Sequence, residues 1–138
     1  MGGDALILID TQALIWLDQN DPALGHRSRA LADQALRDGA LSVSAITFWE
    51  VAMFIAKGRI AANLTVERWR LDLLGAGLIE IALDGGIGMA AAQLGDLHKD
   101  PADRFILATA SSNDAVLLTA DQRLLDWPGN LQRHDARL

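Results

Sequence analysis

The sequence predicts an α/β sandwich: a central, mainly parallel sheet of four to five strands with helices on both faces. Three observations carry this expectation. Short apolar runs alternate with longer segments of helical spacing. The runs are too uniformly apolar to show the two-residue alternation of a sheet with one wet face, as expected of parallel strands covered on both sides. The 138 residues are enough for one buried core, so residues 1–138 are read as a single domain.

The elements follow in order. The strands are expected at Ala5–Ile9 (ALILI), Leu41–Val43 (LSV), Leu78–Leu83 (LIEIAL) and Ala115–Thr119 (AVLLT). A first helix follows Asp10 through TQALIWL. A second fits GHRSRALADQALRDG, with Leu31, Ala35 and Leu36 on one face and Gly39 beyond its end. The third runs from Thr47 to Lys57 and stops at Gly58. The fourth, LTVERWRLDLLGAG, takes Thr65 as its N-cap. DGGIGMAAAQLG and PADRFILATASSN supply the fifth and sixth. No repeat or low-complexity tract interrupts the series.

Composition narrows the chemistry. With 12 Lys and Arg against 18 Asp and Glu the net charge is −6, so no basic surface announces a polyanion. The absence of cysteine excludes disulfides, thiolate zinc sites and a cysteine nucleophile. The N-terminal MGGDALILID lacks the pattern of a signal peptide, and no apolar run approaches the roughly 18 residues needed to cross a bilayer. A soluble, cytoplasmic protein is expected.

The acids are where the sequence becomes informative. Each, taken singly, has an ordinary structural job. Asp10 can cap the first helix. TFWE fits a capping box, with Thr47 as N-cap and Glu50 reaching back to its amide. Asp100 can be an N-cap with Pro101 at the first helical position, Asp103 a first-turn acid favoured by the helix dipole, and Asp121 the cap of a short final helix. As a set they are harder to dismiss. Asp10, Asp103 and Asp121 each follow a strand or open a helix, and Glu50 comes early in the helix after LSV. In a parallel sheet all would face the carboxyl edge, where ligands of α/β proteins bind. Carboxylates crowded there repel one another unless something positive is bound. A hard divalent cation such as magnesium or manganese meets that need with oxygen ligands. Asp10, Glu50, Asp100, Asp103 and Asp121 account for five of the negative charges, leaving the rest of the chain near −1.

LILIDTQALIWL, SVSAITFWEVAMFIAKGRI, HKDPADRFILATA and LLTAD stand in the order and approximate spacing of the PIN-domain ribonucleases, and specifically resemble the VapC-like toxins of bacterial toxin–antitoxin pairs. The resemblance covers nearly the whole chain and implies a PIN-like α/β/α sandwich. By it, Asp10, Glu50, Asp103 and Asp121 correspond to the catalytic, metal-binding acids. Thr119 matches the hydroxyl residue two positions before the last acid, Thr11 is carried over as auxiliary, and Asp100, in the HxDPxDR form of one branch, is a further auxiliary group. The resemblance implies Mg2+- or Mn2+-dependent endonucleolytic cleavage of RNA, in which carboxylates hold one or two cations that activate water for in-line attack on phosphorus. It also implies a VapB-like antitoxin as partner and a homodimer. His98 and Arg104 are candidate substrate contacts, as are Lys57 and Arg59 for phosphates, beside the ordinary reading of each as a loop or surface charge. Trp16, Trp49, Trp69 and Trp127 suit core or interface better than base stacking.

Three rival readings each require a feature that this sequence lacks. A haloacid-dehalogenase-like phosphatase wants a second aspartate two residues after the first, where Gln12 stands. A response-regulator receiver wants a lysine after its last strand, and none follows LLTAD closely. A catalytically silent PIN-like module that binds RNA or protein would be expected to have lost metal-binding acids, and the set is intact.

Overall fold

The computed structural model describes residues 5–61, 63–95, 97 and 99–138. Strands β1 (Ile7–Ile9), β2 (Leu41–Ser44), β3 (Ile79–Ile81), β4 (Val116–Thr119) and β5 (Arg133–Asp135) form one sheet of order β3-β2-β1-β4-β5. Every neighbouring pair is parallel, with Ile7 opposite both Leu41 and Val116. The helices are α1 (Thr11–Asp18), α2 (His26–Arg37), α3 (Ile46–Ala56), α4 (Val66–Gly75), α5 (Gly85–Ala92), α6 (Pro101–Ser112) and α7 (Gln122–Leu125).

Two apolar layers explain the sandwich. Ile7 and Ile9 of β1 and Leu118 of β4 pack with Leu14 of α1, Ala32 and Ala35 of α2 and Phe48 of α3, while Leu8 and Leu117, pointing the other way, pack with Ile106 and Leu107 of α6 and Leu124 of α7. The expected absence of alternation is thus real: both faces of the central strands are dry. Each fully buried leucine contributes about 1.5–3 kcal/mol relative to exposure. Along α6, Ala108 seats α5 through Ile87 and Ala91.

Several expected boundaries shift. Three strands are shorter than their apolar runs, because Ala5, Leu6, Leu78, Ala82, Leu83 and Ala115 lie outside them, while β2 runs one residue further than expected, to Ser44. β5 has no apolar run to announce it. It is placed by the Leu117 amide on the Gln132 carbonyl and the Ala136 amide on the Thr119 carbonyl. The Arg133 guanidinium also holds the turn before it, donating to the carbonyls of Leu124, Trp127, Gly129 and Leu131. The capping box at TFWE does not form. α3 begins one residue earlier, at Ile46, so Thr47 lies inside the helix and its hydroxyl turns to Thr11 instead. The other expected caps hold: Asp10, Thr65, Asp100 and Asp121 each accept from an amide in the first turn.

Glycine is required at two joints. Gly58, at φ +69°, lets the chain reverse after α3. Gly25 stands against the C-terminal residue, where a Cβ would come within 2.1 Å of the Leu138 carbonyl carbon.

Candidate active site

The chain moves outward from β1 to β2 and β3, then returns to place β4 on the other side of β1. The strand order reverses between β1 and β4, and the carboxyl edge of a parallel sheet opens a crevice at such a point. A cleft of about 290 Å³ lies there, lined by Asp10, Thr11, Gln12, Trp16, Glu50, Phe54, Asp103, Ile106, Ala120 and Asp121. All four expected acids therefore meet in one cavity, although they come from the start of α1, from α3, from the first turn of α6 and from the start of α7.

Hydroxyls hold two of them. Asp10 is buried; its Oδ1 accepts from the Ala13 amide at 2.9 Å, and its Oδ2 accepts from the Thr119 hydroxyl. Thr119 Oγ1 in turn accepts from the Asp121 amide at 3.0 Å, so one buried side chain ties the acid after β1 to the residue that opens α7. Thr11 Oγ1 donates to Glu50 Oε1 at 2.5 Å and stands 2.9 Å from Thr47 Oγ1. With the Thr11 proton directed at Glu50, the Thr47 hydroxyl is the donor in that second bond. Asp10 is thus a helix cap and a site acid at once, whereas Glu50 is positioned by α1 rather than by its own helix start.

The electrostatics are those of an acid cluster short of positive charge. Burial raises the pKa of Asp10 from 3.8 to about 6 against the hydrogen bonds from Thr119 and Ala13, and the charges of Asp103 and Asp121 push the same way as burial. Burial likewise raises Glu50 from 4.5 to about 7 against the Thr11 bond, with Asp103, Asp100 and Asp10 adding to the rise. Asp100 caps α6 and does not line the cleft; what it adds there is charge.

An arginine lies beside two of the acids. Arg123 Nε and Nη2 lie 3.2 Å from Asp121 Oδ1 and Oδ2, and Nη2 is 3.7 Å from Asp103 Oδ2. Among the described residues no three His, Asp or Glu side chains converge on a point that would enclose an ion as they stand. The donor chemistry nonetheless fits a hard divalent cation. Four carboxylates and no thiolate line one cavity, and like charges raise the proton affinity of two of them. Asp10, Glu50, Asp103 and Asp121 would hold the ion.

The remaining candidates separate. Arg104 donates to the carbonyls of Ala91, Gly95 and Leu97, so those bonds clamp the segment between α5 and α6. His98 lies outside the described residues. Lys57 and Arg59 are exposed beyond α3, with the Arg59 guanidinium 5.9 Å from the Phe54 ring centre. Trp69 donates to Asp18 and Trp127 to the Leu94 carbonyl, while Trp49 is half exposed. Trp16, expected in core or interface, packs against the core and also lines the acidic cleft. Sequence reasoning passed over Arg123, and gave Thr47 a different partner. The motif LLTADQR held a signal for the arginine, since a long cation two residues beyond an acid in a tight turn can fold back on it. Nothing local pointed Thr47 at Thr11, 36 residues away.

A parallel α/β sandwich with an acid-lined crevice at its strand-order reversal is a class of fold and site, and the comparisons give it a family. The model of the PIN domain family matches residues 7–129, and the chain belongs to that family. It is 30% identical over 120 residues to Ribonuclease VapC22 of Mycobacterium tuberculosis, covering 86% of this chain and 88% of that one. Among solved structures it is similar to a toxin–antitoxin complex from Klebsiella pneumoniae, with TM-score 0.63, 25% identity, and 94% and 97% of the two chains covered. It also shares its fold with the DNA-bound VapBC of Salmonella typhimurium, with TM-score 0.68, 21% identity, and 96% and 98% covered.

Proposed function

We propose that this chain is a VapC-like endoribonuclease toxin that hydrolyses RNA phosphodiester bonds with Mg2+ or Mn2+, and that a VapB-like antitoxin neutralises it. The observation that carries the reading is the meeting of Asp10, Glu50, Asp103 and Asp121, from four separate elements, in one cleft whose oxygen donors suit a hard cation.

When bound, a divalent cation supplies neutralisation of the phosphodiester and a lowered pKa for water. The chain supplies the rest. Asp10, locked between the Ala13 amide and the Thr119 hydroxyl, offers a fixed carboxylate at the base of the cleft. Glu50, steadied at Oε1 by Thr11 and lining the cleft, is the group to take a proton or orient water. In the metal-free cleft burial raises the pKa of Glu50 to about 7, and a cation bound beside it would favour the ionised carboxylate. Asp103 and Asp121 close the opposite wall. Trp16 and Phe54 narrow the cleft with apolar surface against which an unstacked base can lie.

A groove of about 240 Å³ between α1, α3 and α4, lined by Ile15, Val51, Ile55, Ile60, Leu64 and Trp69 among others, suits an apolar segment of the antitoxin. A homodimer and a cytoplasmic location accompany the reading. Among the described residues no helix is long and apolar enough to cross a membrane.

The test is incubation of antitoxin-free protein with total bacterial RNA and Mg2+ or Mn2+, mapping new RNA ends beside Asp10→Asn. Discrete ends that require both the metal and Asp10 are expected. Their absence, with folding and metal binding verified, would replace the nuclease with a silent RNA- or protein-binding module.

A further inference from the structure

We propose that Arg123 is the built-in counter-ion of the Asp103–Asp121 wall, and that a divalent cation binds this site by displacing it. The inference rests on reading the cleft as a metal site and adds a residue that competes for that site.

The geometry points this way in three respects. The guanidinium spans both Asp121 oxygens at 3.2 Å and lies 3.7 Å from Asp103, so a single side chain faces both acids of one wall. Its position is set by the shortest of tethers: Asp121 caps α7 by accepting from the Arg123 amide at 2.9 Å, which turns the arginine back over the acid two residues before it. The two acids are largely covered, with 14% and 23% of their side chains exposed, whereas Arg123 is 60% exposed. A mostly solvated side chain leaves at little desolvation cost, while the acids it covers remain.

The neighbouring Arg137 shows the same arrangement with one carboxylate. It folds back on Asp135 two residues earlier with Nε–Oδ1 and Nη2–Oδ2 distances of 2.9 and 2.7 Å, and its Nη2 also donates to Gln122 at 2.9 Å. Asp135 does not line the acidic cleft. The Arg123 fork is longer because its charge is shared between two carboxylates, and a cation placed between those carboxylates takes over the same role. An ion bound there meets the guanidinium as a like charge, so the two exclude each other.

Mn2+ affinity of the metal-free protein, measured by calorimetry at fixed pH and ionic strength, tests this without reference to cleavage. Arg123→Gln is expected to tighten Mn2+ binding about three- to tenfold, the size of one unit charge removed at close range in a solvated site. Arg123→Lys, which keeps the charge but cannot span both oxygens, should tighten it by less, and Arg137→Gln should leave it within twofold. Unchanged or weaker binding in folded Arg123→Gln overturns the proposal, as does an equal shift in Arg137→Gln, which would make the effect one of net charge. Asp10-dependent Mn2+ binding that is equal in wild type and Arg123→Gln removes the role of Arg123 and leaves the metal site. No Asp10-dependent binding in either chain removes both.

Discussion

Thr119 and Thr11 show how much of this site depends on hydroxyls. Each is buried, each donates to a carboxylate, and each carries a second bond that links it to another element. Asp10 is buried and Glu50 partly so, and a hydroxyl partner lowers the cost of ionising them without cancelling the charge needed for a cation. Glu50 is the sharper test, because it takes no part in capping α3 and is held from α1 by the Thr11 hydroxyl. Glu50→Gln is expected to reduce RNA cleavage at least about 100-fold, as for loss of a positioned acid–base group, while changing the urea midpoint little. Near-wild-type cleavage by that variant would take Glu50 out of the chemistry. A large loss of stability would instead make it a structural acid.

At the scale of elements, the segment joining α5 to α6 determines where Asp103 stands, and Arg104 holds that segment. Its guanidinium donates to three carbonyls, those of Ala91 at 2.9 Å, Gly95 at 3.3 Å and Leu97 at 2.8 Å. Carbonyls left without this donor would have to find water in a partly buried turn. Arg104→Ala is therefore expected to cost about 1–3 kcal/mol in unfolding free energy, with Arg104→Lys recovering only part of it, since a point charge cannot reach three acceptors in a plane. Urea denaturation measures it. An unchanged midpoint together with a raised KM for RNA would return Arg104 to the substrate contact suggested by the HKDPADR motif. The same logic applies to β5, an edge strand without an apolar run, which the Arg133 clamp and two backbone bonds set in register.

For the whole molecule, the acid cluster links folding to pH and to metal. Asp10 and Glu50 bind their protons more tightly folded than unfolded, with pKa values raised from 3.8 to about 6 and from 4.5 to about 7. Folding therefore takes up protons between about pH 4 and pH 7, and the metal-free fold loses stability as pH rises through that window. The loss attributable to buried Asp10 is on the order of 3 kcal/mol. Metal-free wild type should thus have a lower urea midpoint at pH 8 than at pH 5. Asp10→Asn should flatten the difference, and Mn2+ should restore the midpoint at pH 8 in wild type but not in that variant. A midpoint independent of pH and Mn2+ would mean that the acids are fully compensated within the chain. The alternation of apolar runs and helical segments, the caps at Asp10, Thr65, Asp100 and Asp121, and the identity of the four acids were legible in the sequence, because each rests on local spacing or on residue chemistry. The order β3-β2-β1-β4-β5, the place of β5, the Thr47–Thr11–Glu50 chain and the approach of Arg123 to Asp103 were decided only by the tertiary structure. They depend on which distant segments share a face once both sides of the sheet are buried, and side-chain periodicity within a segment carries no information about that.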